Sequence, residues 1–411
     1  MRSGHFEVVV VGGGQAGLAT GYHLSRRGID FTIVDAHERV GDAWRRRWDS
    51  LRLFTPARLD ALPGMPFPAR ASALPTKDEM AAYLESYAQR FEVPIRLGIR
   101  VDSLRRLEQG YELCAGALRL NANQVVVATG GYPDPNLPAF AVQLDKDIKQ
   151  LHSSAYRQPS QLAEGDVLVV GAGNSGAEIA LDSVQFHRVW LSGRPTGTVS
   201  ASFYSRPTWW LATRLLTVDT QIGRRLGRQL GRKGTPLVRI REKDLIAAGV
   251  TRAPRVAGVE GGKPRLEDGR VLDVGTVVWC TGFKHDFSWI QLPSTTGGHL
   301  PAHRRGVVLA ERGLYFMGLP FMYGHNSALI DGAGRDAEYI VARIAAARSN
   351  TKPVEVQTMS KKPDSTHTGS KPCVCSVIKR SGLVWKSTGR KDDGKLEYQC
   401  KICGATAWRP A

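Results

Sequence analysis

Short apolar runs alternate with helix-like stretches from the start of the chain to about residue 349, and glycines mark the points of change. Residues 8–11 form an apolar run of the length of a buried parallel strand. Residues 18–27 show helical patterning that ends at Gly28, and residues 31–34 form a second apolar run. This order predicts a strand, a turn, a helix and a second strand, the repeating unit of doubly wound α/β sheets.

The turn of this unit carries Gly12, Gly14 and Gly17 in the spacing G-x-G-x-x-G. The first glycine permits the tight turn, the second lets a pyrophosphate approach the backbone, and the third lets the helix pack on the strand. Asp35 follows the second strand, where a carboxylate accepts hydrogen bonds from ribose hydroxyls. The pattern predicts a dinucleotide site, and the alternative is a glycine-rich loop that binds no ligand.

A second unit repeats the first. Residues 167–170 form an apolar run, and a helix is expected over 177–182 and a strand over 188–191. The turn between run and helix again has the G-x-G-x-x-G spacing, with Gly171, Gly173 and Gly176. The chain therefore has two candidate dinucleotide sites.

The two units differ in charge after their second strands. Asp35 lies 23 residues after Gly12, and Arg194 lies 23 residues after Gly171. A carboxylate would repel a ribose 2′-phosphate, whereas a guanidinium favours one and the Ser192 hydroxyl can add a hydrogen bond. The spacing predicts FAD in the first site and NADPH in the second, hence electron transfer between two cofactors. The alternative for Arg194 is a solvated charge at a strand end.

Further glycine-containing segments support this arrangement. One strand ends at Ala128, Thr129 and Gly130, and another ends at Thr281 and Gly282. A glycine-rich approach to a late helix contains Asp331 and Gly332, and its backbone amides are suited to a flavin. We therefore expect an NADPH domain inserted into an FAD domain. The boundaries are 1–160 and 285–348 for the FAD domain, 161–284 for the NADPH domain, 349–372 for a linker and 373–411 for a C-terminal module.

The motifs together resemble the class B flavin-dependent monooxygenases, which include flavin-containing monooxygenases, YUCCA-type enzymes and similar bacterial flavoproteins. The resemblance covers about residues 5–349 and is carried by VVVVGGGQAGLATGYHL, GDAWRRRWDSLRLFTP, VVVATGGYPDPNLP, QLHSSAYR, VLVVGAGNSGAEIA and VVWCTGF. It implies that NADPH reduces FAD, that the reduced flavin forms a C4a-(hydro)peroxyflavin with O₂, and that one oxygen atom passes to a small organic substrate.

The resemblance also implies roles for individual residues. Trp44, Leu53 and Thr55 would border the isoalloxazine, and Asn174 and Ser175 would stand at the start of the NADPH-binding helix. The family signature F-x-G-x-x-x-H with a following aromatic residue is half present. His152 and Tyr156 match it, whereas Lys146 and Ile148 replace its Phe and Gly. We expect His152 to couple the domains around NADP⁺, and the alternative is a packed interdomain histidine.

Other functions remain open on the sequence alone. An NADPH-driven reductase or oxidase without oxygen insertion would carry the same cofactor motifs, and a flavoprotein sensor or scaffold could use its tail to bind a protein partner. A disulfide reductase is not favoured, because residues 1–349 hold only Cys114 and Cys280, far apart in sequence. The expected partners are a small substrate and O₂, with a homodimer as one assembly.

The charge balance is strongly basic, with 56 Lys and Arg against 38 Asp and Glu, a net charge of +18. Such a chain attracts polyanions, yet no nucleic-acid fold signature is present. Residues 209–241 combine tryptophans, leucines and arginines, and we interpret them as a lid over a substrate channel, with membrane contact as the less favoured alternative. No targeting or spanning segment is visible, so a cytoplasmic location is the default expectation.

The last part of the chain has a different composition. Residues 349–371 are rich in Ser, Thr, Lys and Pro, which is typical of a flexible linker. The four cysteines that follow form two close pairs, a pattern that suits tetrahedral Zn²⁺ in a small zinc-ribbon-like module. A rubredoxin-like iron and a tail of free thiols are the alternatives. The predicted ligands are Cys373, Cys375, Cys400 and Cys403.

Overall fold

The apolar runs of the sequence become the central, parallel strands of two sheets in the computed structural model. The structure describes residues 4–131, 134–230 and 236–349, together with three later strands over 385–392, 395–400 and 406–410. The chain divides into two compact units, Met1–Lys352 and Pro353–Ala411.

The described strands are numbered along the chain. They are β1 (Gly4–Val11), β2 (Phe31–Val34), β3 (Ile95–Arg96), β4 (Ser103–Arg106), β5 (Tyr111–Ala115), β6 (Leu118–Val127), β7 (Asp134–Pro135), β8 (Lys149–His152), β9 (Val167–Val170), β10 (Val189–Ser192), β11 (Thr251–Ala253), β12 (Val256–Glu260), β13 (Lys263–Leu266), β14 (Thr276–Trp279), β15 (Phe283–Lys284), β16 (Ile290–Gln291), β17 (His303–Arg304), β18 (Val307–Val308), β19 (Leu314–Phe316), β20 (Trp385–Asp392), β21 (Lys395–Cys400) and β22 (Thr406–Pro410).

The described α-helices are numbered in the same way. They are α1 (Gln15–Arg26), α2 (Asp42–Arg45), α3 (Lys77–Arg90), α4 (Asn174–Ser183), α5 (Arg206–Leu215), α6 (Gln221–Leu230), α7 (Glu242–Ala247) and α8 (Ile330–Ser349). None of these helices combines the length and the hydrophobicity that crossing a bilayer requires.

The first sheet is built from strands on both sides of the second nucleotide motif. Its order is β16-β4-β5-β6-β1-β2-β3, and β19 adds to β6 and carries β18 and β17. β1 lies parallel to β2 on one side and to β6 on the other. Residues 8–10 are fully buried, because β1 is covered on both faces, which explains the unbroken apolar run.

The second sheet is entirely parallel, in the order β11-β10-β9-β14-β8. Its edge strand β8 lies before residue 161 in the chain and pairs with β14. Val167 and Val169 are fully buried, as expected for a strand in the middle of a sheet. A mixed α/β Rossmann-type fold with two nucleotide-binding units follows from the two sheets.

The unit Pro353–Ala411 contains a three-stranded antiparallel sheet in the order β20-β21-β22. Cys400 is the last residue of β21 and pairs with Trp385 of β20. Cys373, Cys375 and Cys403 lie outside the described residues, as do most of the residues of the predicted linker.

Candidate functional site

The three glycines of the first motif occupy three different environments. Gly12 has a φ of +112°, and a Cβ there would lie 2.3 Å from the Ala128 carbonyl oxygen. A Cβ on Gly17 would lie 1.8 Å from the Gly12 carbonyl oxygen, whereas a Cβ on Gly14 would meet nothing within 4 Å. The first and third glycines are therefore required by packing, and the middle one leaves open space at the start of α1.

The second motif repeats this geometry. Gly171 has a φ of +113°, with a Cβ position 2.2 Å from the Cys280 carbonyl oxygen. A Cβ on Gly176 would lie 1.8 Å from the Gly171 carbonyl oxygen, and Gly173 again faces open space. Neither α1 nor α4 has a side-chain cap, so backbone N–H groups of each first turn are available to a phosphate. Both openings fit a dinucleotide pyrophosphate.

Asp35 directly follows β2 and is tied to the first glycine turn. Its Oδ2 accepts from the Gly13 N–H at 2.6 Å, and its Oδ1 accepts from the His37 N–H at 2.7 Å and lies 2.8 Å from His37 Nδ1. Burial opposes ionisation, but these hydrogen bonds outweigh it and hold the pKa of Asp35 below its usual value. The carboxylate is therefore ionised beside the first glycine turn.

The strand registers correct the comparison between Asp35 and Arg194. The Gly12 N–H donates to the Val34 carbonyl and the Gly171 N–H donates to the Ser192 carbonyl, so Val34 and Ser192 are equivalent. The residue equivalent to Asp35 is therefore Gly193, because the connection from glycine turn to strand is one residue shorter in the second unit. The second site lacks the carboxylate, and the exposed Arg194 stands one residue further on.

The carboxyl end of β10 borders a small cleft of ≈ 60 Å³ that sequence reasoning missed. Arg252 lies in it and donates to the carbonyls of Leu191 at 3.0 Å and Gly193 at 2.9 Å. The Thr196 hydroxyl also belongs to the cleft and is buried without a partner among the described residues. Ser192 does not fit its predicted role, because its hydroxyl is buried and donates to the Pro254 carbonyl at 2.7 Å.

The two chain crossings between the sheets contact each other. β7 and β15 pair antiparallel, directly after the segments that contain Gly130 and Gly282. Both glycines have positive φ, +79° and +81°, and both face open space. The Thr281 hydroxyl is used within the crossing, where it donates to the Asn136 carbonyl. Thr129 is exposed and Ala128 is buried against Gly12.

The side chains of His152, at the end of β8, and of Tyr156 form hydrogen bonds with the turn that follows β14 and with α4. His152 Nε2 lies 3.0 Å from the Gly282 carbonyl, and its Nδ1 accepts from the Ser154 N–H at 3.2 Å. Burial is the main cause that lowers the pKa of His152, so the ring is neutral at physiological pH. The buried Tyr156 hydroxyl donates to Asp182 at 2.7 Å. The two side chains therefore fix the positions of the Gly282 turn and of α4, a structural role in which neither acts as an acid or a base.

A buried polar cluster not identified from the sequence joins the Thr55 segment to the start of α8. The Thr55 hydroxyl donates to Asp60 Oδ1 at 2.5 Å, and the Trp209 indole donates to Asp331 Oδ2 at 2.8 Å. Among the described residues, Asp60 Oδ2, Asp331 Oδ1 and both ring nitrogens of His325 are buried without a hydrogen-bond partner. Unsatisfied buried polar atoms are costly, so this cluster is suited to a polar ligand.

The same cluster has perturbed ionisation. Burial, together with the nearby charge of Asp331, raises the pKa of Asp60 to about 7. Burial beside Arg335 lowers the pKa of His325 to about 4, so its imidazole is neutral. The His325 ring packs edge-on against Trp209 with 5.0 Å between centroids. No signal in the sequence brings together residues so far apart along the chain.

The remaining predicted site residues have mixed environments. Leu53 is buried and Trp44 is half-buried in α2. Asn174 holds the chain at 236–238, since its side chain donates to the Pro236 carbonyl at 3.0 Å and accepts from the Val238 N–H at 3.0 Å. Gly332 is packed against the Asn326 carbonyl and leaves no open space. Ser175 is half-buried in the first turn of α4.

Metal and thiol chemistry find no support in the part of the chain that the structure describes. No group of three or more His, Cys, Asp or Glu side chains in those residues is arranged to hold a metal ion. Cys114 is buried and Cys280 half-buried, and neither is in a disulfide. Burial raises the pKa of Cys280 to about 12, so it is protonated at neutral pH and unsuited to dithiol exchange.

Two glycine turns that open at uncapped helix starts on linked Rossmann units are typical of two-dinucleotide oxidoreductases. The model of the pyridine nucleotide-disulphide oxidoreductase family matches residues 9–216. An uncharacterized CzcO-like oxidoreductase of Geobacillus kaustophilus is 41% identical over 338 residues, 82% of this chain and 97% of that protein. Indole-3-pyruvate monooxygenase YUCCA1 of Oryza sativa subsp. japonica is 37% identical over 183 residues, 42% of this chain and 44% of that protein. A flavin-containing monooxygenase from Stenotrophomonas maltophilia is 29% identical, with a TM-score of 0.69 over 83% of this chain and 98% of the other.

The chain belongs to the pyridine nucleotide-disulphide oxidoreductase family and to the class B flavin-dependent monooxygenases. The resemblance stated from the sequence motifs is thereby confirmed. The protein is an enzyme, a flavin-dependent oxidoreductase of the monooxygenase kind.

Proposed function

We propose that the enzyme binds FAD at the Gly12 turn and NADPH at the Gly171 turn, and that it transfers one oxygen atom from O₂ to a small organic substrate. The observation that carries this proposal is the matched pair of openings at Gly14 and Gly173, each at an uncapped helix start. FAD held at the Gly12 turn would accept a hydride from NADPH and would then activate O₂ for this transfer.

The strand ends support the assignment of the two cofactors. The ionised Asp35 suits a ribose with free hydroxyls and disfavours a phosphate at that place. In the second unit Gly193 offers no carboxylate and is followed by the exposed Arg194. The neighbouring cleft that contains Thr196 holds Arg252, which pairs with Glu242 at 3.4 Å. Guanidinium groups pair well with phosphate, which supports NADPH over NADH.

The chain crossings supply the coupling between the two sites. The β7–β15 pairing and the hydrogen bond from His152 to the Gly282 carbonyl hold the turns at Gly130 and Gly282 in one fixed arrangement. A backbone link adds to this, since the Asp49 N–H donates to the Arg157 carbonyl at 2.8 Å. Fixed spacing between two cofactor sites is what electron transfer between them needs.

The buried polar cluster is proposed as the substrate-facing wall. Thr55, where the family resemblance places the isoalloxazine, donates to Asp60 Oδ1, which leaves Oδ2 as the atom that holds the Asp60 proton. Because the pKa of Asp60 is raised to about 7, this carboxyl is largely protonated below neutral pH, and the His325 ring is neutral there. These two uncharged side chains beside the ring help to keep ions and water out.

Coupled turnover tests the proposal. Purified holoenzyme is screened against small amines, sulfides and ketones, with NADPH consumption, oxygenated product and hydrogen peroxide measured together. A monooxygenase forms about one product for each NADPH consumed with at least one of these substrates. Peroxide equal to the NADPH consumed with every substrate would identify an NADPH oxidase, and flavin reduction that passes only to quinones would identify a reductase.

We also propose that Cys373, Cys375, Cys400 and Cys403 bind one structural Zn²⁺. The support is the spacing of the two thiol pairs and the position of Cys400 at the end of β21. A basic three-stranded module of this size gains most of its stability from such a metal. It would then serve partner binding and not oxygen transfer.

A further inference from the structure

One helix pair exposes an unusual amount of apolar surface. Of the twelve large apolar side chains that are exposed among the described residues, three lie on α5 and one lies at the start of α6. Trp210 is 56% exposed, Leu211 48%, Leu215 42% and Ile222 59%. Single exposed apolar side chains are ordinary, whereas such a concentration marks an interaction surface.

The same surface is basic. Between Arg206 and Arg228 the described residues include five exposed arginines and one exposed acid, Asp219. The Arg214 guanidinium lies 3.8 Å from the centroid of the Trp210 ring, so charge and aromatic surface are adjacent. We call this region the α5–α6 surface. Its arginines are Arg206, Arg214, Arg224, Arg225 and Arg228.

The opposite face of α5 already has its partners. Trp209 and Ala212 are 6% and 7% exposed, and the Trp209 indole donates to Asp331. Trp209 also stacks on Tyr204, with 5.4 Å between ring centroids. Helix α5 therefore packs one apolar face inside the protein and directs other apolar side chains to the outside.

We infer that the α5–α6 surface docks on a lipid bilayer with anionic headgroups. Arginines would pair with lipid phosphates, and the tryptophan, leucine and isoleucine side chains would enter the headgroup–acyl boundary. Nucleic acid would explain the arginines but not the exposed leucines and isoleucine, because phosphate contacts need no apolar side chains. This sequence segment was expected to be a lid over a substrate channel, and its outward exposure favours a surface contact.

Vesicle flotation of the full-length holoenzyme tests the inference. The probes are vesicles of phosphatidylcholine alone and of phosphatidylcholine with phosphatidylglycerol in equal parts. Binding to the anionic vesicles that falls as salt is added is expected, with little binding to the neutral ones. Each arginine near an anionic surface contributes about 1 kcal/mol, so Arg225→Gln with Arg228→Gln should weaken partitioning about 30-fold.

A second pair of substitutions separates apolar insertion from charge attraction. Leu211→Ser with Leu215→Ser keeps every charge and should weaken partitioning at least about tenfold. The matched controls are Phe186→Ser, an apolar side chain that is 70% exposed elsewhere, and Arg100→Gln with Arg119→Gln, two other exposed arginines. Neither control should change binding.

Vesicle binding through the basic C-terminal unit is the alternative that the substitutions must distinguish from binding through the α5–α6 surface. Residues 350–411 carry 12 Lys and Arg against 5 Asp and Glu, enough to attract anionic vesicles without α5 or α6. Vesicle binding that survives both α5–α6 pairs, absence of vesicle binding, or retention on duplex DNA alone would each overturn the inference. Turnover with a soluble substrate should be unchanged in the two pairs, so a failure here is distinguishable from a failure of the proposed function.

Discussion

Replacing Gly173 with alanine separates cofactor binding from folding. Gly173 has φ −80° and ψ −172°, a conformation that alanine adopts without strain, and its Cβ would meet no protein atom within 4 Å. The methyl group would instead occupy the space in which the pyrophosphate approaches the start of α4. Gly173→Ala should therefore leave the fold intact and weaken NADPH binding.

The local structure sets the size of the effect of Gly173→Ala on fold stability and on NADPH affinity. Alanine restricts the unfolded chain, which stabilises by about 0.4–1 kcal/mol, but it is a poorer residue than glycine before a helix, which costs a similar amount. The melting temperature should shift by less than about 3 °C. Loss of one or two backbone hydrogen bonds to a charged phosphate costs about 1.5–3 kcal/mol each, so the Kd for NADPH should rise at least tenfold.

The assay is titration of the FAD-loaded enzyme with NADP⁺ or NADPH, paired with thermal unfolding. Gly14→Ala is the matched control, because Gly14 has the same open environment in the first unit and its substitution should release FAD. Gly176→Ala is the structural contrast, since its Cβ would lie 1.8 Å from the Gly171 carbonyl oxygen and should destabilise the fold. An unchanged NADPH affinity in Gly173→Ala would refute the assignment of this turn.

Three other outcomes are expected. Arg194→Ala should raise the KM for NADPH at least about tenfold and leave the KM for NADH nearly unchanged, as steady-state kinetics with both cofactors will show. Equal changes in the two KM values would contradict a contact between Arg194 and the 2′-phosphate. The folded-state pKa of Asp60, about 7 against an ordinary 3.8, makes the wild-type stability fall as pH rises from about 4 to 7. Asp60→Asn should reduce the difference in unfolding free energy between pH 4 and pH 8 by about 4 kcal/mol, as urea unfolding at both pH values will show, and an unchanged difference in the variant would contradict the buried, proton-holding carboxyl. Freshly purified protein should contain about one equivalent of zinc, and Cys400→Ser should lose it; less than about half an equivalent in the unmodified protein would exclude the four-cysteine site.

The two glycine turns were accessible to sequence reasoning because their chemistry is local. Spacing fixed which glycine needs a positive φ and which needs open space, and the structure shows this at Gly12 and Gly14. The comparison of Asp35 with Arg194 failed because counting residues ignores a connection that is one residue shorter in the second unit. Hydrogen bonds to Val34 and Ser192 reveal the true equivalence, and only the fold supplies them.

The side-chain partners of the site were beyond the reach of the sequence. Ser192 was expected to face a phosphate, but its position within β10 buries the hydroxyl against the Pro254 carbonyl. The contact between Trp209 and Asp331 joins two segments that are far apart along the chain. Such partners depend on which elements pack together, and neither periodicity nor motif spacing encodes that packing.

Anaerobic reduction of the bound flavin tests whether two dinucleotide sites act together. The purified protein, after incubation with FAD, should carry about one yellow, protein-bound equivalent, and NADPH should bleach its absorbance without oxygen. Gly14→Ala should lose the colour, whereas Gly173→Ala should keep the colour and be bleached only at higher NADPH concentration. A protein that stays colourless with FAD, or a bound flavin that NADPH does not reduce, would contradict two dinucleotide sites acting together.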